Sequence, residues 1–167
     1  SKEADVAEAY YLKAKSAYSI NSKEVAYSAF NKVAAGPSSE RAAESKYMTA
    51  KILRENNLYK ASLDTCFKIK TKFASYEYWY VKTFILMADD YYQLGNVLQA
   101  KATLESIVAN YKGDDTLLEE AKAKLDEINN EELKKSRIME IAPSDEMQMI
   151  QGDSILNNQN LILCLTF

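Results

Sequence analysis

With 167 residues, 18.9 kDa, 47% apolar and 27% charged residues, the chain has room for one domain or one short repeat array and is neither disordered nor fibrous. Four glycines and two prolines are too few for many tight turns, which argues against an all-β sandwich or barrel. The absence of histidine removes Ser/His and Cys/His catalysis, histidine acid–base chemistry and histidine metal sites. A net charge of −3 gives no global attraction for nucleic acid or an anionic membrane.

The chain opens Ser1-Lys2-Glu3 rather than with Met, and reads as a processed product or a cloned segment of a longer protein. It shows no signal peptide, and no apolar run approaches the roughly 20 residues of a membrane span. Ala7, Tyr10, Tyr11, Ala14, Ala17 and Tyr18 recur at helical spacing. A polar break at Ile20-Asn21-Ser22 precedes a second stripe of Val25, Ala26, Ala29, Phe30 and Val33. Gly36-Pro37-Ser38-Ser39-Glu40 is a stop followed by a start: Gly suits the end of one helix and Ser the cap of the next.

The pattern then repeats. Ala43, Tyr47, Ala50 and Leu53 lead to the break Asn56-Asn57-Leu58. A stripe of Leu58, Ala61, Leu63, Cys66, Phe67, Ile69 and Phe73 follows. After a weaker break at Phe73-Ala74-Ser75 come Tyr80, Phe84, Met87, Ala88 and Tyr91. The break Leu94-Gly95-Asn96 precedes the stripe Val97, Ala100, Leu104, Ile107, Val108 and Tyr111. Tyr111-Lys112-Gly113-Asp114-Asp115 is another stop-start, with acid suited to a helix N-terminus. Residues 115–140 form one more helix, with Leu117, Leu118, Ala121, Leu125 and Ile128 as its apolar stripe. Ala142-Pro143 ends it.

Three helix-turn-helix units result, at about 3–35, 38–73 and 75–111. Ala26, Ala61 and Ala100 mark a spacing of 35 and 39 residues, the mark of a helical-repeat array. The third unit is the most regular. It reads Phe84-x-x-Met87-Ala88-x-x-Tyr91-x-x-x-Gly95-Asn96-x-x-x-Ala100-x-x-x-Leu104-x-x-Ile107. In this order of aromatic, large, small, aromatic, turn glycine, small and large residues it resembles the tetratricopeptide repeat (TPR) family. The second unit keeps the turn and Ala61 but has Thr65 where the third has Leu104. No unit carries the closing proline frequent in the family.

The resemblance covers roughly residues 3–111. It implies an all-α fold of antiparallel helix pairs stacked as a short right-handed α-solenoid over residues 1–141, with 115–140 as a polar-faced cap. It also implies a concave groove that takes a peptide or a partner helix. By the family register, the groove positions of the second unit are Tyr47, Lys51, Arg54 and Glu55. Those of the third are Lys82, Ile85, Asp89, Tyr92 and Gln93. The long Tyr- and Lys-rich helices look like those of bacterial cell-envelope proteins, which points to a periplasmic or outer-membrane-associated place, with the cytoplasm as the alternative.

The remaining candidates for chemistry have plain alternatives. Asp89 and Asp90 are adjacent on a helix and point about 100° apart, so they cannot share a proton across a cleft. Asp114-Asp115 suits a helix start, and Gly113-Asp114-Asp115 lacks the alternation of a calcium loop. Cys66 lies on an apolar stripe, as an inert buried thiol does, and the two cysteines are expected to remain unbridged. No cofactor is implied.

Aromatic residues cluster at Phe73, Tyr76, Tyr78, Trp79, Tyr80 and Phe84, near Lys68, Lys70, Lys72 and Lys82. Tyr76, Tyr80 and Phe84 share a helix face suited to packing. Tyr78, Trp79 and Lys82 lie off it and suit a protein partner; single-stranded nucleic acid is disfavoured by the charge. The reading is a non-catalytic protein–protein interaction module or scaffold segment of a larger bacterial protein. The alternative is a structural connector or regulatory segment. The tail, 142–167, lacks basic residues and ends Leu161-Ile162-Leu163-Cys164-Leu165-Thr166-Phe167, a strand-like apolar window. It is expected to pack on a helical surface of its own or another copy, allowing self-association, or else to be an extension without a role.

Overall fold

The computed structural model describes the backbone of residues 2–141 and the side-chain surroundings of residues 5–138. The expectations for the tail at 142–167 fall outside the described residues. The described chain is all-helical, with seven helices and no strand. They are α1 (Lys2–Ser19), α2 (Lys23–Ala35), α3 (Glu40–Glu55), α4 (Tyr59–Lys72), α5 (Glu77–Gln93), α6 (Val97–Asn110) and α7 (Asp115–Ile141).

Three turns of three residues each join α1 to α2, α3 to α4 and α5 to α6, and their geometry is the same. The middle residue is left-handed: Asn21 at φ 59°, Asn57 at 60° and Gly95 at 79°. Asn and Gly are the residues that enter this region at least cost, and so they stand here. Each turn closes a six-to-one hydrogen bond onto the helix before it, from Ser22 N to Ala17 O at 2.8 Å, Leu58 N to Leu53 O at 2.9 Å and Asn96 N to Tyr91 O at 2.8 Å. The next helix then starts with Ala26, Ser62 and Ala100 donating back to the residue four before. Longer links separate the pairs. Ser39 caps α3 by accepting from Ala42 N at 3.2 Å, and Asp114 starts α7 by accepting from Thr116 N at 2.7 Å.

The left-handed residues set the repeat at 36 and 38 residues, from Asn21 to Asn57 to Gly95. This corrects one expectation. Ala61 is exposed, and the buried partner of Ala26 and Ala100 is Ser62. The correct register makes Cys66 the equivalent of Phe30 and Leu104, and Ile69 that of Val33 and Ile107, all of them buried. Leu58 and Phe67, placed on the apolar stripe by their type, are exposed for the same reason. The small residues Ala14, Ala50 and Ala88, each seven before its left-handed residue, are fully buried. They let the first helix of each pair approach the second.

The division of the chain falls within α7: the described residues up to Ile128 form one compact unit, and α7 from Asn129 onward belongs to a second. In the first unit each helix from α1 to α6 packs on its neighbours in the chain, and α3 also touches α5. Its core lies in three clusters. One joins α1 and α2 to Ile52 of α3, one joins α3 and α4 to Leu86 and Met87 of α5, and one joins α5 and α6 to Leu117, Ala121 and Ile128 of α7. Every cluster therefore spans a helix pair and the odd-numbered helix after it. In the second unit, the described part is the end of α7, where Leu133 and Ile138 are exposed.

Candidate functional site

The face carrying the sequence-selected residues is built by α3 and α5, with α1 and α7 beside them. On these helices a residue recurs on the same side every three or four positions, so Tyr47, Lys51 and Arg54 align on α3, and Ile85, Asp89 and Tyr92 align on α5.

Tyr47 and Ile85 are not open to a partner. Tyr47 is only 7% exposed, with its ring 5.5 Å from that of Trp79 on α5. Ile85 is 2% exposed and clusters with Leu117 and Ala121 of α7. In both cases the next odd-numbered helix covers the position. Burial pushes the Tyr47 hydroxyl well above its ordinary range, helped by the acidic charges of Glu120 and Asp89.

The polar residues of the face are tied to one another as rungs between successive odd-numbered helices. Tyr11 on α1 donates to Glu44 Oε2 on α3 at 2.7 Å, and Lys15 reaches Glu44 Oε1 at 3.0 Å. One helical stretch further on, Tyr18 donates to Glu55 Oε1 at 2.6 Å, while Lys23 pairs with Glu55 Oε2 at 3.0 Å. Arg54 on α3 lies 3.3 Å from Asp89 Oδ2 on α5. Lys124 on α7 donates to both oxygens of Asp89, at 2.9 and 2.8 Å, and Lys82 meets Glu120 at 3.5 Å. Surface pairs are individually worth about 0–1 kcal/mol, and these are mostly part-buried, so their repetition along the face matters more than any one.

The titrations follow the rungs. Burial, and then the bond to Glu44, pushes Tyr11 up to about 12. Burial and Glu55 do the same to Tyr18. Burial acts to raise Glu55, but the Tyr18 hydroxyl, Lys23 and Lys51 outweigh it and hold the carboxyl below its ordinary range.

The other selected residues remain at the surface in varying degree. Lys51 lies 5.5 Å over the Tyr18 ring. Tyr78 is exposed and meets Trp79 edge-on at 5.0 Å, with Lys82 5.8 Å from its own ring. Trp79 and Tyr92 are half-buried, and Gln93 is exposed. Asp89 and Asp90 diverge as their spacing requires: the first joins the rungs, and the second is fully buried. Tyr11, Tyr18, Glu44, Glu120 and Lys124 were not selected from sequence. Their partners lie 29 to 38 residues away, and no local pattern marks them.

Among the described residues no group of three or more Cys, Asp and Glu side chains could hold a metal ion, and no helix is long and apolar enough to cross a membrane. A cleft of about 860 Å³ lies at the other end of α1, lined by Val6, Ala7, Tyr10, Val33 and Pro37 among others, and no selected residue borders it. No protein-family model matches the chain, and no curated protein or solved structure matches it either.

Proposed function

We propose that the chain is a non-catalytic protein–protein interaction module, built as a divergent TPR-like array. In this reading the three helix pairs stack as a short right-handed α-solenoid, α7 caps it, and the α1/α3/α5 face takes a peptide or a partner helix. The observation that carries the reading is the threefold recurrence of one turn geometry at 36- and 38-residue spacing, with small residues at matching places. Lys51, Tyr78, Trp79 and Gln93 supply the partner contact: an ammonium for an acidic residue, and an aromatic edge for an apolar one. The same reading makes it a scaffold segment of a larger bacterial protein, working at the cell envelope.

A displayed random-peptide library panned on the purified full chain tests this. Enriched peptides should lose binding with Lys51→Glu and with Tyr78→Ala, and keep it with Leu98→Ala on α6. Peptides indifferent to both face substitutions, or no enrichment, would count against a groove on this face.

One observation favours a second reading, the structural connector. The rungs occupy Glu44, Glu55, Asp89 and Glu120 within the chain and so stiffen the face. A connector yields no enriched peptide, and breaking rungs, for example with Glu44→Gln and Glu120→Gln, alters the stiffness of the array without altering any binding.

A further inference from the structure

Three places in the first unit are equivalent. At each, an odd-numbered helix lands on the pair before it. At the first, Ile52 of α3 meets Ala26 and Phe30 of α2, with Tyr18 of α1 beside them. At the third, Ile128 of α7 clusters with Ala100 and Leu104 of α6, with Tyr92 of α5 beside them. At the second, the same four positions hold Asp90 of α5, Ser62 and Cys66 of α4, and Arg54 of α3. Ile52, Asp90 and Ile128 follow at intervals of 38 residues and are 1%, 0% and 6% exposed.

The middle joint thus carries Asp90, Ser62 and Arg54 where the other two have Ile, Ala and Tyr, and a smaller Cys66 where they have Phe or Leu. Among the described residues this polar group is incompletely satisfied. Neither Asp90 oxygen accepts a well-formed hydrogen bond, although the Ser62 hydroxyl lies close enough to favour the ionised carboxyl, and Arg54 Nε is buried without a hydrogen bond, at ion-pair distance, 3.6 Å from Asp90 Oδ1. Arg54 is shared with Asp89, which Lys124 also holds. Cys in place of Phe or Leu, and Asp in place of Ile, also leave less side chain to fill the joint. A buried, unbonded carboxylate is costly when ionised and far less so when protonated.

We propose that the joint between the second and third helix pairs is a proton-controlled hinge: a neutral Asp90 keeps α5 seated on α4, and an ionised one loosens that joint while the apolar first and third joints stay closed. The inference concerns the fold itself and does not depend on the face binding a peptide. The charged and titratable groups around Asp90 are Arg54 from α3, Cys66 from α4 and Asp89 on its own helix, with Lys124 of α7 acting through Asp89 and Tyr47 of α3 facing Cys66 and Asp89. Burial pushes the Asp90 carboxyl up to about 6; Ser62 and Arg54 pull it back, and Asp89 adds to the rise. A carboxyl raised above its ordinary value of 3.8 favours the closed joint in acid. That advantage is lost as pH rises through about 6.

The test is amide hydrogen exchange on the full chain at about pH 5 and about pH 7.5, corrected for intrinsic rates and read helix by helix. Linkage predicts that α4 and α5 open about tenfold more at the higher pH, with α1 and α2 unaffected. Asp90→Asn should give slow exchange at both pH values. So should the third joint's residues placed together: Arg54→Tyr, Ser62→Ala, Cys66→Leu and Asp90→Ile. Exchange in wild-type α4 and α5 that follows the other helices at both pH values overturns the proposal, as does Asp90→Asn with the full pH dependence retained. Should the variants not fold, a carbon-13 titration of wild-type Asp90 decides. A midpoint about two units above the ordinary value, moving with the α4 and α5 amides, supports the hinge; an ordinary midpoint overturns it.

Discussion

The Tyr18 hydroxyl donates to Glu55 Oε1 at 2.6 Å and ties the last turn of α1 to the last turn of α3 across 37 residues of sequence. The bond is short because its acceptor is charged, and Lys23 steadies that charge from the other oxygen at 3.0 Å. Tyr18→Phe removes the donor and keeps the ring. It should lower stability by about 1 kcal/mol near neutral pH, read as a lower urea midpoint with an unchanged slope. Glu55 titrates below its ordinary value of 4.5, so its contribution is present above that value and lost as pH falls through the folded one. The gap between wild type and Tyr18→Phe should therefore narrow in acid.

Substitution at the close contacts distinguishes the two registers of the second unit. Ala88→Leu and Ala100→Leu should each cost about 1–3 kcal/mol by overpacking. Ser62→Leu should do the same, whereas Ala61→Leu, at an exposed position, should stay within about 0.5 kcal/mol. Urea denaturation of the four variants is the measurement. A severe Ala61→Leu beside a harmless Ser62→Leu would return the register to that of Ala26, Ala61 and Ala100.

The left-handed turn positions should respond in opposite directions. An added Cβ at Gly95 meets nothing within 4 Å, so Gly95→Ala is strained by its backbone alone, at φ 79°. It should cost about 1 kcal/mol, while Asn57→Gly should be neutral or slightly favourable. Thermal midpoints of the two variants check this.

Cys66 is buried and unbridged, and burial pushes its thiol well above the ordinary range, with the Asp90 charge adding to the rise. In a Cys164→Ser background, a thiol reagent should label Cys66 only at the rate at which the fold opens. Labelling in urea should become complete across the unfolding transition. Fast labelling of the native protein would place the thiol at an open surface.

The helices and their breaks were legible because the 3-4 spacing is strong and because Asn21, Asn57 and Gly95 stand where the backbone must turn left-handed. What misled was residue type. Ala61 looks like the natural partner of Ala26 and Ala100, yet the turn fixes the position one residue later, at Ser62. Tyr47 and Ile85 belong to the right helix side, but sequence does not show that the following odd-numbered helix lies over them. The rungs were invisible, since an acid and a phenol 33 or 37 residues apart carry no periodic signal. Asp90 was the one site with a readable trace: a 38-residue ladder starting at Ile52 meets an acid before it reaches Ile128.

The side-chain hydrogen bonds from Lys72 to the Ala34 carbonyl and from Lys82 to Glu120 each span 38 residues, about one repeat. Among the described residues, the cluster that holds α1 and α2 together draws on nothing beyond α3. A ribosome making this protein can therefore release a finished first pair while the third is still untranslated, and each later pair docks onto a surface already in place. The nascent chain carries an exposed apolar edge only one helix wide at any moment, which shortens the interval in which a neighbouring copy could capture it.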